Sequence, residues 1–397
     1  MNKTIILAIA VLLAPLGALA AEKSDIEVMT MNQYLGAPLT PIVTAGTLED
    51  FNNAVIAALQ SIAGNNFPER AEALAETVAD KNPDLVGLQE VYSFGCIPNP
   101  AGTPGGCFLF DAAFNDHLTE TLDRLSDLEA DYYVAATVQN LTIPSAGFPF
   151  PGLPVFLDFD AQPEFFVTVI DRDVILARDD VPTSKVSFVC GRPSVDGCNY
   201  TVFATAPTLA GPIIQERGFV GVDATVNGKP YRFVSTHLEL RVPGPGLLAL
   251  LVQPFQATQL IASVNFPAPP PESQTLIVGD INSSPTDQIF SNPFVPFPVH
   301  PPYLQLANNT DLFGNSLGVP YTDVWNQRPG NSEGFTCCQL ADLSNPTSNH
   351  YERVDVIFSS SAPSKVKANA LDDEPSDKTA SRLWPSDHSA VIGELSY

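Results

Sequence analysis

Basic residues are scarce in this chain. Its 397 residues include 19 Lys and Arg against 44 Asp and Glu, a formal net charge of −25. Sequence-independent affinity for nucleic acid comes from Lys and Arg neutralising phosphates, so tight docking onto DNA or RNA is not expected; an enzyme that bridges to its substrate through metal ions stays open. Beyond the first twenty residues no apolar stretch reaches the roughly 20 residues that a membrane span needs. No H-E-x-x-H pair occurs and no two cysteines have C-x-x-C spacing, so protease and structural zinc sites find no support, nor does a serine hydrolase.

The opening segment MNKTIILAIAVLLAPLGALA has one Lys, an apolar run from Ile5 to Leu16 and the small-residue pattern Ala18-Leu19-Ala20. It reads as a secretory signal over residues 1–20, cleaved after Ala20, and the expected location is secreted or periplasmic. No Cys stands at the cleavage point, so no lipid is expected there. Loss of Lys3 takes the mature chain to about −26. What remains exceeds the usual ~100–200 residues per domain, yet no repeat or linker divides it. One domain over residues 25–397, with long loops, is expected, as a monomer.

Six cysteines suit an oxidising compartment. Cys96 with Cys107, and Cys190 with Cys198, each enclose a short Gly-, Pro- and Asn-rich segment that a disulfide can close. Cys337 and Cys338 are adjacent and either form a vicinal disulfide or stay free.

Apolar and polar residues alternate in DIEVMTMNQYLG, as in a half-buried strand that stops at Gly36. In ERAEALAETVADK the period changes: Ala71, Leu74, Ala75 and Val78 share a helical face, and Asn82-Pro83-Asp84 ends it. LVGLQE then reads as a buried strand closed by a carboxylate. Similar strand texture recurs in FFVTVIDRDVILAR, QTLIVGDINSSP, RVDVIFSS and HSAVIGEL, and Asn227-Gly228 between two alternating runs marks a hairpin. Strands outnumber helices, with hairpins and helical crossovers mixed. The expected fold class is α+β: a four-layer α/β sandwich, two mixed β-sheets packed face to face with helices outside. Three Pro-rich apolar stretches, at 141–166, 241–255 and 291–306, are expected to be long loops that cover one another and the core, or else an apolar rim for lipid.

Polar, metal-capable residues stand where these strands end: Asn32, Glu90, His237, Asp280, Asn282, Asp355, and Asp387 with His388. Such a set suits metal-assisted phosphate-ester hydrolysis. Hard divalent cations take carboxylate and carboxamide oxygens, charge that builds on phosphate oxygens is offset by metal and imidazole, and the attacking water needs a base. Each position alone also has a structural reading as a strand-end carboxylate, an Asx turn or a satisfied core histidine.

Taken in order, MTMNQYLG, PDLVGLQEVY, STHLE, VGDINSSP, ERVDVIFSS and PSDH resemble the endonuclease/exonuclease/phosphatase superfamily, which includes DNase I, bacterial sphingomyelinases and inositol polyphosphate 5-phosphatases. The resemblance covers about Asp25 to Tyr397. It implies that Glu90 is the principal metal ligand, with Asn32 close to it, that Asp387 is a metal or water ligand, and that the cofactor is Mg²⁺, or Mn²⁺ or Ca²⁺. It further implies that Asp280 faces the phosphate or attacking water, that Asn282 holds a phosphate oxygen, that His237 hydrogen-bonds the phosphate and can protonate the leaving oxygen, and that His388 is the general base oriented by Asp355. Asp171 stands where nuclease-like members carry a carboxylate beside the first histidine, with Asp173 as the rival position; Asp323 and Arg353 are supporting candidates.

The expectation is a secreted metal-dependent phosphoesterase that hydrolyses a phosphodiester through an activated water. Acidity and apolar loops favour a phospholipid or sphingomyelin-type substrate, with peripheral membrane contact through those loops. The alternatives are an extracellular DNase- or RNase-like endonuclease and an inactive binding module of the same fold.

Overall fold

The computed structural model describes residues 24–102, 104–158, 162–241, 247–292 and 295–397; the expected signal over 1–20 lies outside them. In chain order the elements that build the frame are β1 (Ile26–Asn32), α1 (Leu48–Gly64), α2 (Phe67–Lys81), β2 (Leu85–Gln89), β3 (Ser93–Pro98), α3 (His117–Asp127), β4 (Tyr132–Ile143), β5 (Phe165–Arg178), β6 (Gly218–Val226), β7 (Lys229–His237), α4 (Leu247–Ser263), β8 (Gln274–Asp280), β9 (Asp355–Ser359), β10 (Lys365–Leu371) and β11 (Ala390–Ser396). They form two sheets. One runs β10-β11-β1-β2-β5-β3, with β4 also on β5; the other has the central order β9-β8-β7-β6. Each sheet contains one parallel pair, β1 with β2 and β7 with β8, and antiparallel neighbours around it.

Side-chain alternation decides which face goes where. From β1, Val28 points between the sheets, while Met29 and Met31 point outward onto α2; Leu85 of β2 faces in and Val86 and Leu88 face out. The inner layer joins Val28, Leu85 and Ile175 to Val222, Phe233, Leu276, Val278 and Ile357 of the other sheet. Outside, α2 covers the first sheet with Phe67, Ala71, Leu74, Ala75 and Val78. On the far side Ala257, Leu260 and Ile261 of α4, with Val264 just past its end, cover Phe219, Val234, Ile277 and Phe358. Helix, sheet, sheet, helix is the four-layer α/β sandwich expected from the sequence.

The helix face read at 71, 74, 75 and 78 is buried, and α2 ends at Lys81 with Asn82 in the left-handed conformation, φ +48°. The hairpin at Asn227-Gly228 joins β6 to β7, with Val226 opposite Lys229 and positive φ at both turn residues, the geometry that a two-residue primed turn requires.

All three Pro-rich stretches, expected to be long loops, hold regular elements. The stretch 241–255 was expected to be a loop, yet its described part enters α4, which contains Pro254. Proline gives the helix ladder no N–H; its carbonyl still accepts from Thr258 Oγ1 of the same helix and from Gln305 Nε2, which ties this turn to the helix Pro302–Asn308. The stretch 291–306 holds a short strand pair, Phe290–Asn292 with Val295–Val299, and the helix Pro302–Asn308, which starts with proline where no N–H is needed. In the first stretch Leu153–Val155 pairs with β5 and Leu153, Val155 and Phe165 are buried. The stretch therefore covers the core, and Phe150 stays exposed. The six cysteines pair as Cys96–Cys107, Cys190–Cys198 and Cys337–Cys338. Among the described residues no helix is long and apolar enough to cross a membrane.

The sheets approach each other closely at Gly87 of β2. A Cβ there would lie 2.8 Å from both Ser235 Oγ and Val278 Cγ2 of the facing sheet. Gly87→Val is expected to destabilise folding by about 1–3 kcal/mol through overpacking, read as a lower urea midpoint at constant slope; an unchanged midpoint would mean that the layers separate without cost.

Candidate active site

The parallel pairs point their carboxyl ends the same way, and polar residues collect there. In register, Asn32 at the end of β1 pairs with Gln89 at the end of β2; His237 at the end of β7 pairs with Asp280 at the end of β8, and Asp280 with Asp355 at the start of β9. His237, Asp280 and Asp355 thus form one row across three strands. The loop before β11 brings Asp387 and His388 to the same end. Ser386 fixes that loop: its hydroxyl donates to the Asn32 carbonyl at 2.6 Å and accepts from the His388 N–H at 3.2 Å.

His388 Nδ1 lies 2.8 Å from Asp355 Oδ2, and its Nε2 lies 3.8 Å from Asp280 Oδ2 and 4.0 Å from Asp387 Oδ1. Burial alone would lower the His388 pKa; the charges of Asp355, Asp387 and Asp280 outweigh it and hold the imidazole well above its ordinary range. Burial pushes Asp280 up to about 7, with His388 opposing and Asp355 and Glu90 adding to it. Asp387 is pushed up to about 6 by burial and by the Glu90 charge, with His388 again opposing.

Asn32 donates from Nδ2 to Asp280 Oδ2 at 3.2 Å while its Oδ1 accepts from Tyr34 N–H. Glu90 stands just past β2 with φ +55° and accepts the Leu35 N–H on Oε2 at 2.9 Å. A left-handed glutamate is strained by about 1–3 kcal/mol, and its carbonyl is braced by Nδ1 of the buried His117 at 3.3 Å. Asn282, also left-handed at φ +48°, donates its backbone N–H to Asp280 Oδ1 at 2.8 Å and its Nδ2 to the Leu238 carbonyl at 2.9 Å.

His237 is buried, and burial, then the nearby Arg217 charge, push its pKa well below the ordinary value. The expected carboxylate beside this histidine is not in contact with it. Arg217 stands between, with Nη1 2.9 Å from His237 Nδ1 and 3.5 Å from Asp171 Oδ2. Asp171 is pushed up to about 7 by burial despite that arginine, and Asp173 is raised well above its ordinary value by burial and by the Asp171 charge. Asp323 and Arg353 pair with each other at 2.8 Å, buried, and Asp323 also accepts from Tyr303 and the Trp325 N–H. Arg353 lines a hollow of about 220 Å³ with Ser284, Thr286, Trp325, Asn326 and Phe335, beside the loop that follows Asn282.

Asp387 Oδ1 is buried without a hydrogen-bond partner. An orphaned carboxylate oxygen that feels the Glu90 charge fits a hard cation held by Glu90 and Asp387, with the second lone pair of Asn32 Oδ1 in reserve. Asp280, Asp355 and His388 also have ligand-capable atoms within 4.8 Å of one another, but the His388–Asp355 hydrogen bond already occupies Nδ1. Cys337 and Cys338 lie near His388; their sulfurs are joined in a disulfide and are not thiolate ligands.

Sequence reasoning missed several residues. Arg217 carries no motif. Arg70, on the expected amphipathic helix, is fully buried and donates to the carbonyls of Gln33, Tyr34, Asn65 and Pro385. His350 braces the Asp387 carbonyl at 3.2 Å. The chain does contain one G-x-S-x-G match, Gly314–Gly318, which the motif reading passed over. Its Ser316 is exposed and its Oγ donates to the Gly318 carbonyl at 3.3 Å, a turn without the strand-to-helix elbow of a hydrolase nucleophile.

Among curated proteins no sequence matches the chain. Among solved structures it is similar to an endonuclease/exonuclease/phosphatase family protein from Leptotrichia buccalis, with 13% identity over 94% of this chain and 100% of that one and a TM-score of 0.47. It is also similar to a mannosyl-6-phosphatase of Bacteroides thetaiotaomicron, at 16% identity over 94% and 100% and a TM-score of 0.48. Truncated TDP2 of Caenorhabditis elegans follows at 14% identity over 94% and 98%, with a TM-score of 0.44. The Endonuclease/Exonuclease/phosphatase family model matches residues 59–388, from within α1 to His388 itself, and the chain belongs to that family.

Proposed function

We propose that the protein is a secreted, metal-dependent phosphoesterase that cleaves a phosphodiester of phospholipid type by direct attack of water. The observation that carries this reading is the imidazole of His388, fixed at Nδ1 by the Asp355 carboxylate and presenting Nε2 toward Asp280. A carboxylate only accepts, so Nδ1 keeps its hydrogen and Nε2 is the atom that takes a proton. Asp280, 3.8 Å from that nitrogen, orients the water. As the new O–P bond forms and the ester O–P bond opposite breaks, the water's proton passes to Nε2 and the departing oxygen takes a proton from solvent water. Asn282 Nδ2 and His237 Nε2, 3.2 Å apart, hold a non-bridging phosphate oxygen. Glu90, Asp387 and Asn32 would hold Mg²⁺, Mn²⁺ or Ca²⁺, which when bound would supply positive charge to the phosphate oxygens and offset the carboxylate charge that otherwise retains the His388 proton.

The surroundings favour a small amphiphilic diester over a nucleic acid. Arg217 is paired with Asp171, Arg353 with Asp323, and Arg241 with Asp287 and Glu352, while the buried Arg70 is engaged by four backbone carbonyls. Little positive charge is left for a polyphosphate backbone. On loops adjoining the site, Leu240, Phe335, Leu340 and Tyr351 are exposed, which suits a lipid surface.

Purified protein without residues 1–20 is expected to hydrolyse sphingomyelin vesicles and bis-p-nitrophenyl phosphate in Mg²⁺ and to stop in EDTA. Cleavage of plasmid DNA instead would move the assignment to a nuclease, and no turnover with metal bound would leave a binding module. His388→Ala is expected to lower kcat by about 10²–10⁴-fold with Mg²⁺ affinity retained, whereas Glu90→Gln should weaken Mg²⁺ binding by calorimetry as well as turnover; wild-type activity of either variant in saturating Mg²⁺ would remove the assignment. The secreted form is expected to begin at Ala21, which mass spectrometry of the culture medium checks; an intact Met1 would refute the signal.

A further inference from the structure

The two site histidines have opposite partners at Nδ1. His388 faces a carboxylate, which only accepts; His237 faces Arg217 Nη1 at 2.9 Å, and a guanidinium only donates. From this we infer that Arg217 is a positioning residue that fixes His237 in the neutral tautomer with its proton on Nε2, making it a permanent hydrogen-bond donor and not a source of protons for the leaving oxygen. A hydrogen on Nδ1 would set N–H against N–H at 2.9 Å. Arg217 cannot turn away cheaply: its side chain is 3% exposed and Asp171 holds it from behind at 3.5 Å. Burial opposes the guanidinium charge, but Glu239 and Asp171 outweigh it, so the arginine stays protonated.

At the other end of the ring the groups facing Nε2 are Asp280 Oδ2 at 3.5 Å and Asn282 Nδ2 at 3.2 Å, with the His388 charge beyond. The Asn282 amide is oriented by its bond to the Leu238 carbonyl, so its nitrogen, a donor, is the atom beside Nε2. Asp280 Oδ2, at 3.5 Å, is at the outer limit of a hydrogen bond to Nε2, and one anionic oxygen seated between Nε2 and Asn282 Nδ2 completes both donors. Use of the Nε2 hydrogen to hold a phosphate oxygen rests on the phosphoesterase reading; the tautomer does not.

The test is a ¹⁵N-histidine NMR titration of the full mature chain, with His237 assigned by comparison with His237→Gln. In the wild type the Nδ1 signal is expected to stay in the unprotonated position and Nε2 in the protonated one from about pH 5 to about pH 9, a range in which a free histidine with a pKa of ~6.5 titrates. An imidazolium signal or an Nδ1–H tautomer in that range overturns the inference. In Arg217→Met the His237 signals are expected to shift toward imidazolium on acidification; signals unchanged from wild type would show that Arg217 does not set the tautomer. Should that variant fail to fold, as loss of a buried charge partner can cause, the wild-type spectra decide alone. No turnover is needed, so this result is separable from failure of the hydrolysis assay.

Discussion

Carboxylates packed at one end of two sheets are the constraint on which the site depends. Asp280 and Asp355 are adjacent in register and buried, and Glu90 and Asp387 sit close enough to raise Asp387. Like charges in a low-dielectric interior survive only when each is given a partner. Asp355 has His388; Asp280 has Asn32 and the Asn282 N–H; Glu90 has the Leu35 N–H. The same few residues hold backbone strain, with Glu90 and Asn282 both left-handed. Charge repulsion and strain concentrated in one place need a rigid frame, and the inner layer of Val, Leu, Ile and Phe between the sheets supplies it. That frame is indifferent to chemistry, and the site is not.

How much of this was readable in the sequence depended on whether the signal was local. Strand periodicity, the α2 face and the Asn-Gly hairpin are decided by neighbours a few residues apart, and they came through. So did the strand-end residues, because a polar side chain at the close of a buried run is anomalous within a short window. Arg217 left no such trace: Glu216-Arg217-Gly218 before a strand looks like ordinary surface, and only the tertiary fold turns that arginine inward between Asp171 and His237. The helical part of 241–255 was hidden for a related reason. Pro254 argues against a helix locally, and the partners that satisfy its carbonyl, Thr258 and Gln305, include one 51 positions away.

The two histidines show why residue type alone could not assign roles. Both are buried and both lie within 4 Å of Asp280, so distance to the reacting region does not separate them. What separates them is the atom behind each ring. Asp355 raises the basicity of one imidazole; Arg217 lowers that of the other. One fold thus places the same side chain in two opposite electrostatic settings, by burying an anion behind the first ring and a cation behind the second.

Precision in such a site has to come from the loops, since every functional group but Asp280, Asp355, Asn32 and His237 lies beyond a strand end. Arg70 is the main device on one side. Its four nitrogen contacts reach carbonyls from the loop after β1, from the α1–α2 junction and from Pro385 just before the Ser386-Asp387-His388 turn. On the other side Arg241 joins the loop after β7 to Asp287 and Glu352, in the segments that carry Asn282 and lead into Asp355. A lysine offers a point charge and three hydrogens without the planar fork that lets one guanidinium bind carbonyls from separate segments at once. These arginines therefore serve geometry: paired with carboxylates or backbone oxygens, they hold loops in place and contribute little free positive charge.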